Sequence, residues 1–306
     1  PANRVRFTPT QVAAITAAVQ PGLTLVVGPP GTGKTDTAVQ AIRLLSSNRP
    51  AARTLLVTHS NAALNDLFAK LVAAGMPASR LLRLGAGEAE LESGGVDFSR
   101  AGRVNAALAR RLQLLAEVER LARHAGVSPP GGVVVTGTGG EGDGPSPSSA
   151  PASYTCETAA HLWLLHVLAP WEKFSAGLAG ARASPAGLTP ALVRDTFPFA
   201  AYFADAIAAG RVFGGADAEA DAAGAAACFA HLRSLFAEVE ELRPFEILRG
   251  AGDRVHYLMT HVAKVVAMTV THAALKRRDF LAGGFAYDSV VMEEAAQVLE
   301  VESFIP

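Results

Sequence analysis

Apolar and polar positions recur along this chain at two spacings. Leu23-Thr24-Leu25-Val26-Val27 is a short aliphatic run ending in a Gly/Pro-rich turn, and Asp36 to Leu45 behind it has helical composition. Strand, loop and helix are predicted there. Thr54 to Thr58 repeats the aliphatic and β-branched pattern, and in Asn61 to Ala73 the residues Leu64, Leu67, Phe68, Leu71 and Val72 fall on one helical face. Leu81 to Leu84, Val265 to Val270 and Ser289 to Met292 are further strand candidates. Strands alternating with helices at both ends of the chain predict an α/β fold with a parallel sheet covered on both faces.

The middle follows another pattern. Arg103 to Arg123 reads as one long charged helix with Leu108, Leu112, Leu115, Val118 and Ala122 as its apolar stripe. Thr155 to Phe174 and Ala222 to Leu242 also have helical spacing, and Trp163, Leu164 and Phe174 suit a helix core. Residues 128–153 are rich in Gly, Pro and Ser, a composition that buries too little to order itself. The expected organisation is therefore a first part of an α/β domain over 1–90, a helical insertion over 91–254 with a disordered linker near 128–153, and the second part of the domain over 255–306.

Composition narrows the setting. Half of the 306 residues are hydrophobic and the net charge is −1, which excludes a wholly disordered chain and gives no overall polyanion signal. The distribution is uneven, with nets of +5 over 1–90, −4 over 91–254 and −2 over 255–306. Cys156 and Cys228 lack the spacing of a disulfide framework or a zinc site, which favours a reducing compartment. With no long uncharged apolar run and no signal-peptide core at Pro1 to Arg6, the chain is expected to be soluble and not secreted. A first residue other than Met and an apolar run into Pro306 suggest a segment of a longer protein.

Gly28-Pro29-Pro30-Gly31-Thr32-Gly33-Lys34-Thr35 matches GxxxxGK[ST] between a predicted strand and a predicted helix, the setting that motif requires. Its glycines let backbone N–H groups close around phosphate oxygens at a helix N-terminus. Lys34 then reaches the β and γ phosphates, and the Thr35 hydroxyl ligands Mg²⁺. Such sites also need a carboxylate at the end of another strand. Ser289 to Gln297 supplies one, with Glu293 on the metal side and Glu294 as the base that activates water.

These residues resemble superfamily 1 helicases. Gly28 to Thr35 is similar to their motif I, Glu293-Glu294-Ala295-Ala296-Gln297 to motif II, and Thr8-Pro9-Thr10-Gln11 to the Q motif, in which Gln11 would read adenine. Thr58 to Ala63 resembles motif Ia and Thr269 to Ala274 motif Ic, which implies contacts to nucleic-acid phosphates from Ser60, Asn61, Thr271 and His272. The likeness is nearest to an intron-binding, spliceosomal branch of that family, and it extends through Leu82 to Gly85, Asp97 to Arg100, Gly102 to Asn105, Ser153 to Ala159 and Met292 to Pro306. Motif II has Glu293 where most helicases have Asp.

The resemblance implies a RecA-like P-loop NTPase sheet with a helical insertion, using ATP and Mg²⁺ and binding single-stranded intron RNA among spliceosomal proteins in the nucleus. It also places a second RecA-like domain beyond Pro306, so these residues alone are expected to bind ATP weakly and to lack RNA-stimulated hydrolysis. The alternative is a nucleotide-stabilised RNA clamp or scaffold with little turnover. Glu293 favours the clamp, whereas intact Lys34, Thr35 and Glu294 favour the enzyme.

Overall fold

Four parallel strands carry the fold in the order β2-β3-β1-β4: β1 (Thr54–Thr58), β2 (Leu81–Arg83), β3 (Val265–Thr269) and β4 (Ser289–Glu293). The computed structural model describes residues 6–85, 95–128, 153–185, 187–214 and 217–299. The chain divides into two compact units, Pro1–Ala107 with Leu248–Pro306, and Leu108–Ile247. The predicted linker lies outside the described residues except at its two ends.

In the first unit, α1 (Pro9–Ala18) and α2 (Lys34–Asn48) precede β1, and α3 (Asn61–Ala73) joins β1 to β2. Each predicted strand and helix of this stretch is present except one. Leu23 to Val27 form no strand, and Leu23, Leu25 and Val27 are 87%, 78% and 94% exposed. Aliphatic composition is not sufficient for a strand, because the ladder needs a neighbour. Among the described residues β4 pairs with β1 alone and nothing pairs with Leu23–Val27.

The central strand β1 is buried along its whole length, since it is flanked by strands on both edges. Its register is strict: Thr54 lies opposite Val265 and Ser289, and Thr58 opposite Thr269 and Glu293. One core joins Leu56, Val265 and Ala267 of the sheet to Val39 and Ile42 of α2 and to Leu64, Leu67, Phe68 and Leu71 of α3. Phe68 and Phe98 meet edge to face there, with ring centroids 5.0 Å apart. The periodicity of Asn61–Ala73 thus marks the face that covers the sheet.

α4 (Arg100–His124) runs from the first unit into the second. Its stripe differs from the expected one. Leu112 is 60% exposed, and Leu114 and Leu121 are buried with Leu115, Val118 and Ala122. At 3.6 residues per turn Leu112 projects to one side of the face that Leu114, Leu115, Val118, Leu121 and Ala122 share, and it is left in solvent.

The second unit continues with α5 (Cys156–Leu162), a π-helical stretch Trp163–Leu168, α6 (Ala169–Ala183), α7 (Pro190–Thr196), α8 (Ala204–Ala208) and α9 (Ala218–Ile247). Leu164, expected in the core, is exposed on the π-helical stretch, while Phe174 is buried and Trp163 packs at the edge of the core. Trp171 stacks on Phe229 at 4.3 Å, and Phe229 is also stacked with Trp163 at 5.6 Å. α9 runs past the expected stop before Pro244, and Phe245 beyond that proline is fully buried. Burial of the last turn outweighs the single hydrogen bond a proline removes. Back in the first unit, α10 (Ala251–Tyr257) leads into β3, and α11 (Val270–Ala282) connects β3 to β4.

Truncating Phe68 to Ala should destabilise the sheet unit by about 3–5 kcal/mol, because it removes the edge-to-face partner of Phe98 and leaves a cavity under α3. Hydrogen-exchange protection of the β1 and β3 amides measures this, and unchanged protection would contradict the packing.

Candidate nucleotide and nucleic-acid site

Parallel strands end on one edge of their sheet, so the register puts Thr269, Thr58 and Glu293 side by side at the C-terminal edge. Ligands of open α/β sheets bind at that edge. The residues singled out in the sequence divide there into two groups.

The first group surrounds the glycine loop. α2 starts from Gly33, whose φ of 73° is left-handed, so the chain turns abruptly into the helix and aims its first N–H groups into the loop. A side chain at Gly33 would put its Cβ 2.8 Å from Gln11 Nε2, which is a second reason for glycine. The loop is braced from within. Thr32 Oγ1 donates to the Pro29 carbonyl at 2.8 Å, and Lys34 Nζ donates to the carbonyls of Gly28 at 2.7 Å and Pro29 at 2.9 Å. Phosphate oxygens offered to that ammonium would exchange neutral acceptors for charged ones.

Gln11 is the third residue of α1 and closes a capping box with Thr8. Its Oε1 accepts from the Thr8 N–H at 2.8 Å, while Thr8 Oγ1 accepts from the Gln11 N–H at 3.3 Å. The amide nitrogen donates to the Thr32 carbonyl at 3.0 Å. Gln11 therefore ties α1 to the loop, and both ends of its amide are in use.

The Thr35 hydroxyl donates a short hydrogen bond to Glu293 Oε1 and so joins the start of α2 to the end of β4. The other carboxylate oxygen, Oε2, is buried and has no hydrogen-bond partner among the described residues. A hydroxyl and a carboxylate with an unpartnered buried oxygen make a hard-oxygen donor set suited to Mg²⁺, which takes few protein ligands and keeps several waters. Burial pushes the Glu293 carboxyl up, and the charges of Glu294 and Asp66 add to this. The hydrogen bond from Thr35 opposes it, as does Lys70. Lys70 is itself held by Asp66 at 3.3 Å and Asp36 at 3.9 Å. Glu294 is exposed and sits at φ 56°, alone among the described non-glycine residues with a positive φ.

The second group lies at the ends of β1 and β3. Ser60 caps α3, its Oγ accepting from the Ala63 N–H at 3.2 Å, and Thr58 Oγ1 donates to the Ser60 carbonyl at 2.7 Å. Thr269 caps α11 in the same way, accepting from the His272 N–H at 3.2 Å, with Thr271 exposed beside it. Two helix N-termini thus open on the same edge, each a favourable field for phosphate. Asn61 Oδ1 accepts from Arg83 at 2.7 Å. Arg83 was legible only as part of the Leu82–Gly85 likeness, and nothing in its local pattern marks it as a partner of Asn61.

A family model described as an AAA domain matches residues 6–125. RNA helicase aquarius of Mus musculus is 48% identical over 306 residues, covering 99% of this chain and 19% of that protein. The chain is similar to aquarius over nearly its whole length. The pre-mRNA-splicing factor cwf11 of Schizosaccharomyces pombe is 24% identical over 301 residues, 98% of this chain and 21% of that protein. A shorter match, 37% over 76 residues, reaches the DNA polymerase alpha-associated DNA helicase A of Saccharomyces cerevisiae and covers 25% of this chain and 11% of that helicase. The chain spans about a fifth of the length of aquarius and cwf11. With the parallel sheet and the glycine loop, the aquarius-like segment has the α/β, RecA-like fold expected of it.

Because burial holds the Glu293 carboxyl above the ordinary range, the folded state keeps its proton at pH values where the unfolded chain has lost it. Stability then falls as pH rises from the ordinary carboxylate range through the raised value. Glu293→Gln removes that loss. The metal-free variant should melt above wild type at neutral pH, with the difference shrinking in acid. A lower melting temperature throughout would mean that the carboxylate is not penalised by its site.

Proposed function

We propose that this chain supplies one face of an ATP-driven RNA motor. ATP would lie on the Gly28–Thr35 loop, the Thr35 hydroxyl and the Glu293 carboxylate would hold Mg²⁺, and single-stranded RNA would cross the N-termini of α3 and α11. The observation that carries this reading is the hydrogen bond from Thr35 to Glu293, which brings the loop helix and the motif II strand end onto one donor set. The metal, when bound, neutralises charge on the β and γ phosphates.

The protein's own residues do the rest. Backbone N–H groups at Gly33 and Lys34 hold phosphate oxygens, Lys34 moves its ammonium from the Gly28 and Pro29 carbonyls onto the β and γ phosphates, and Gln11 fixes the loop beside the adenine end. Glu294 accepts a proton from the attacking water. Ser60, Asn61, Thr271 and His272 meet RNA phosphates, so binding tracks the backbone and is largely sequence-neutral. The names of the relatives, an RNA helicase and a pre-mRNA-splicing factor, support intron RNA of the spliceosome as substrate, spliceosomal proteins as partners and the nucleus as location. The 91–254 insertion is read as an addition to the RecA-like domain.

Steady-state ATPase of the full-length protein, with and without RNA, tests the enzyme against the clamp. RNA-stimulated turnover supports the motor, and its absence at full ATP occupancy supports the clamp. Lys34→Ala should abolish binding of a fluorescent ATP analogue. Glu294→Gln should keep that binding and slow hydrolysis by about 10²–10⁴-fold, because shape survives while the base is lost. Wild-type turnover in Glu294→Gln would move the base elsewhere.

A further inference from the structure

Arg83 is fully buried at the end of β2, and its guanidinium bonds both to the start of α3 and to the turn that follows β2. Nη2 donates to Asn61 Oδ1 at 2.7 Å, Nε donates to Asn65 Oδ1 at 3.2 Å one turn further along α3, and Nη1 donates to the Leu84 carbonyl. A planar fork of this kind fixes the direction of each bond it makes. On the α3 side it sets which way the Asn61 amide faces. With Oδ1 accepting from Arg83, the Nδ2 donors are the end left for an external acceptor, and a phosphate oxygen is an acceptor.

On the other side, the bond to the Leu84 carbonyl holds the turn out of β2, which is also held by the Leu84 N–H donating to Ala267 of β3 at 2.8 Å. The next residue, Gly85, has φ +104°, and a Cβ there would lie 3.2 Å from His272 Nδ1 and 3.3 Å from its Cγ. The His272 ring rests against the bare backbone of that turn. One buried cation thus orients Asn61 directly and supports the seat of His272 through Leu84 and Gly85.

We infer that Arg83 is a positioning residue for RNA, orienting the Asn61 amide with its donors outward and holding the Gly85 turn on which His272 lies. This rests on the reading of Asn61 and His272 as phosphate contacts. Arg83 itself is fully buried and reaches RNA only through other residues, so its effect should pass through Asn61 directly and through the seat of His272.

The test is a double-mutant cycle in the full-length protein, reading affinity for a fluorescent single-stranded RNA, with binding of an ATP analogue in the absence of RNA as the control for folding. Asn61→Ala should weaken RNA binding about tenfold, as expected for one hydrogen bond to a charged group. Arg83→Met should weaken it at least as much with ATP binding intact, and adding Asn61→Ala should cause little further loss. Arg83→Lys, which keeps the charge but not the fork, should fall between wild type and Arg83→Met. Losses that add, or an Arg83→Met variant with wild-type affinity, would overturn the proposal while leaving Asn61 as an RNA contact. Wild-type affinity in Asn61→Ala would overturn the underlying RNA reading and the proposal with it. If Arg83→Met does not fold, Asn61→Asp decides. It keeps an acceptor for Arg83, so the melting temperature should hold, but it turns an anion toward the phosphate, so affinity should fall below that of Asn61→Ala. Affinity equal to wild type in that variant would mean that the amide does not face RNA with its donors.

Discussion

The chemistry of the first unit depends on the parallel ladder that sets β1 between β3 and β4. In an antiparallel pair, neighbouring strands end at opposite edges, and Thr58 and Glu293 would be separated by the length of the sheet. In this register Thr269, Thr58 and Glu293 end side by side. Each strand then delivers its own chain reversal to the same edge, so one carboxylate and two helix N-termini share it without any of them being close in sequence. The buried run Thr54–Thr58 fixes the register, because a slip of one residue would turn Leu56 out of the α2 and α3 core.

That edge is also divided. The glycine loop reaches β4 through Thr35, whereas the capped starts of α3 and α11 sit on β1 and β3. A nucleotide at one end and a nucleic acid at the other would share the strand β1, with Thr58 between them. α3 offers a physical link between the two groups: Asn61 and Asn65 in its first turns face Arg83, and Asp66 and Lys70 in its later turns bear on the Glu293 carboxyl.

Much of this was legible in the residues themselves. Local signals sufficed for β1, α3 and the glycine loop, because aliphatic composition, a helical apolar face and a motif are each written within a dozen residues. The two groups that need distant partners were less readable. Leu23–Val27 has strand composition, but pairing is a property of the neighbour, and among the described residues it has none. Arg83 is 22 positions from Asn61 in sequence, and a buried arginine in a strand has no local signature of its role. Leu112 has the composition of a core residue, but it lies to one side of the helical face that Leu114, Leu115, Val118, Leu121 and Ala122 bury, and only the packing partner shows which side is covered.

Glu293 and Glu294 illustrate how a local rule is broken where function is proposed. A glutamate with φ 56° is held in the left-handed region at a cost of about 1–3 kcal/mol, and a buried carboxylate oxygen without a donor adds a desolvation penalty. Neither helps the fold. Glycine at 294 would make the turn without strain, and an apolar residue at 293 would pack without an unpartnered oxygen. What the two glutamates do provide is adjacency: one carboxylate aimed inward at Thr35, and the next turned by the left-handed step onto the exposed side of the strand end. In regular strand geometry successive side chains already point to opposite faces, but both would then be aligned with the sheet rather than with the open edge. The left-handed step reverses the chain into the Ala295–Gln297 turn, where the Gln297 N–H donates to the Glu294 carbonyl at 2.8 Å. Glu294 is thereby left exposed to water, while the Glu293 carboxylate is turned toward Thr35. A pair of carboxylates in separated environments could divide metal binding from proton transfer, which is the division of roles proposed for Glu293 and Glu294.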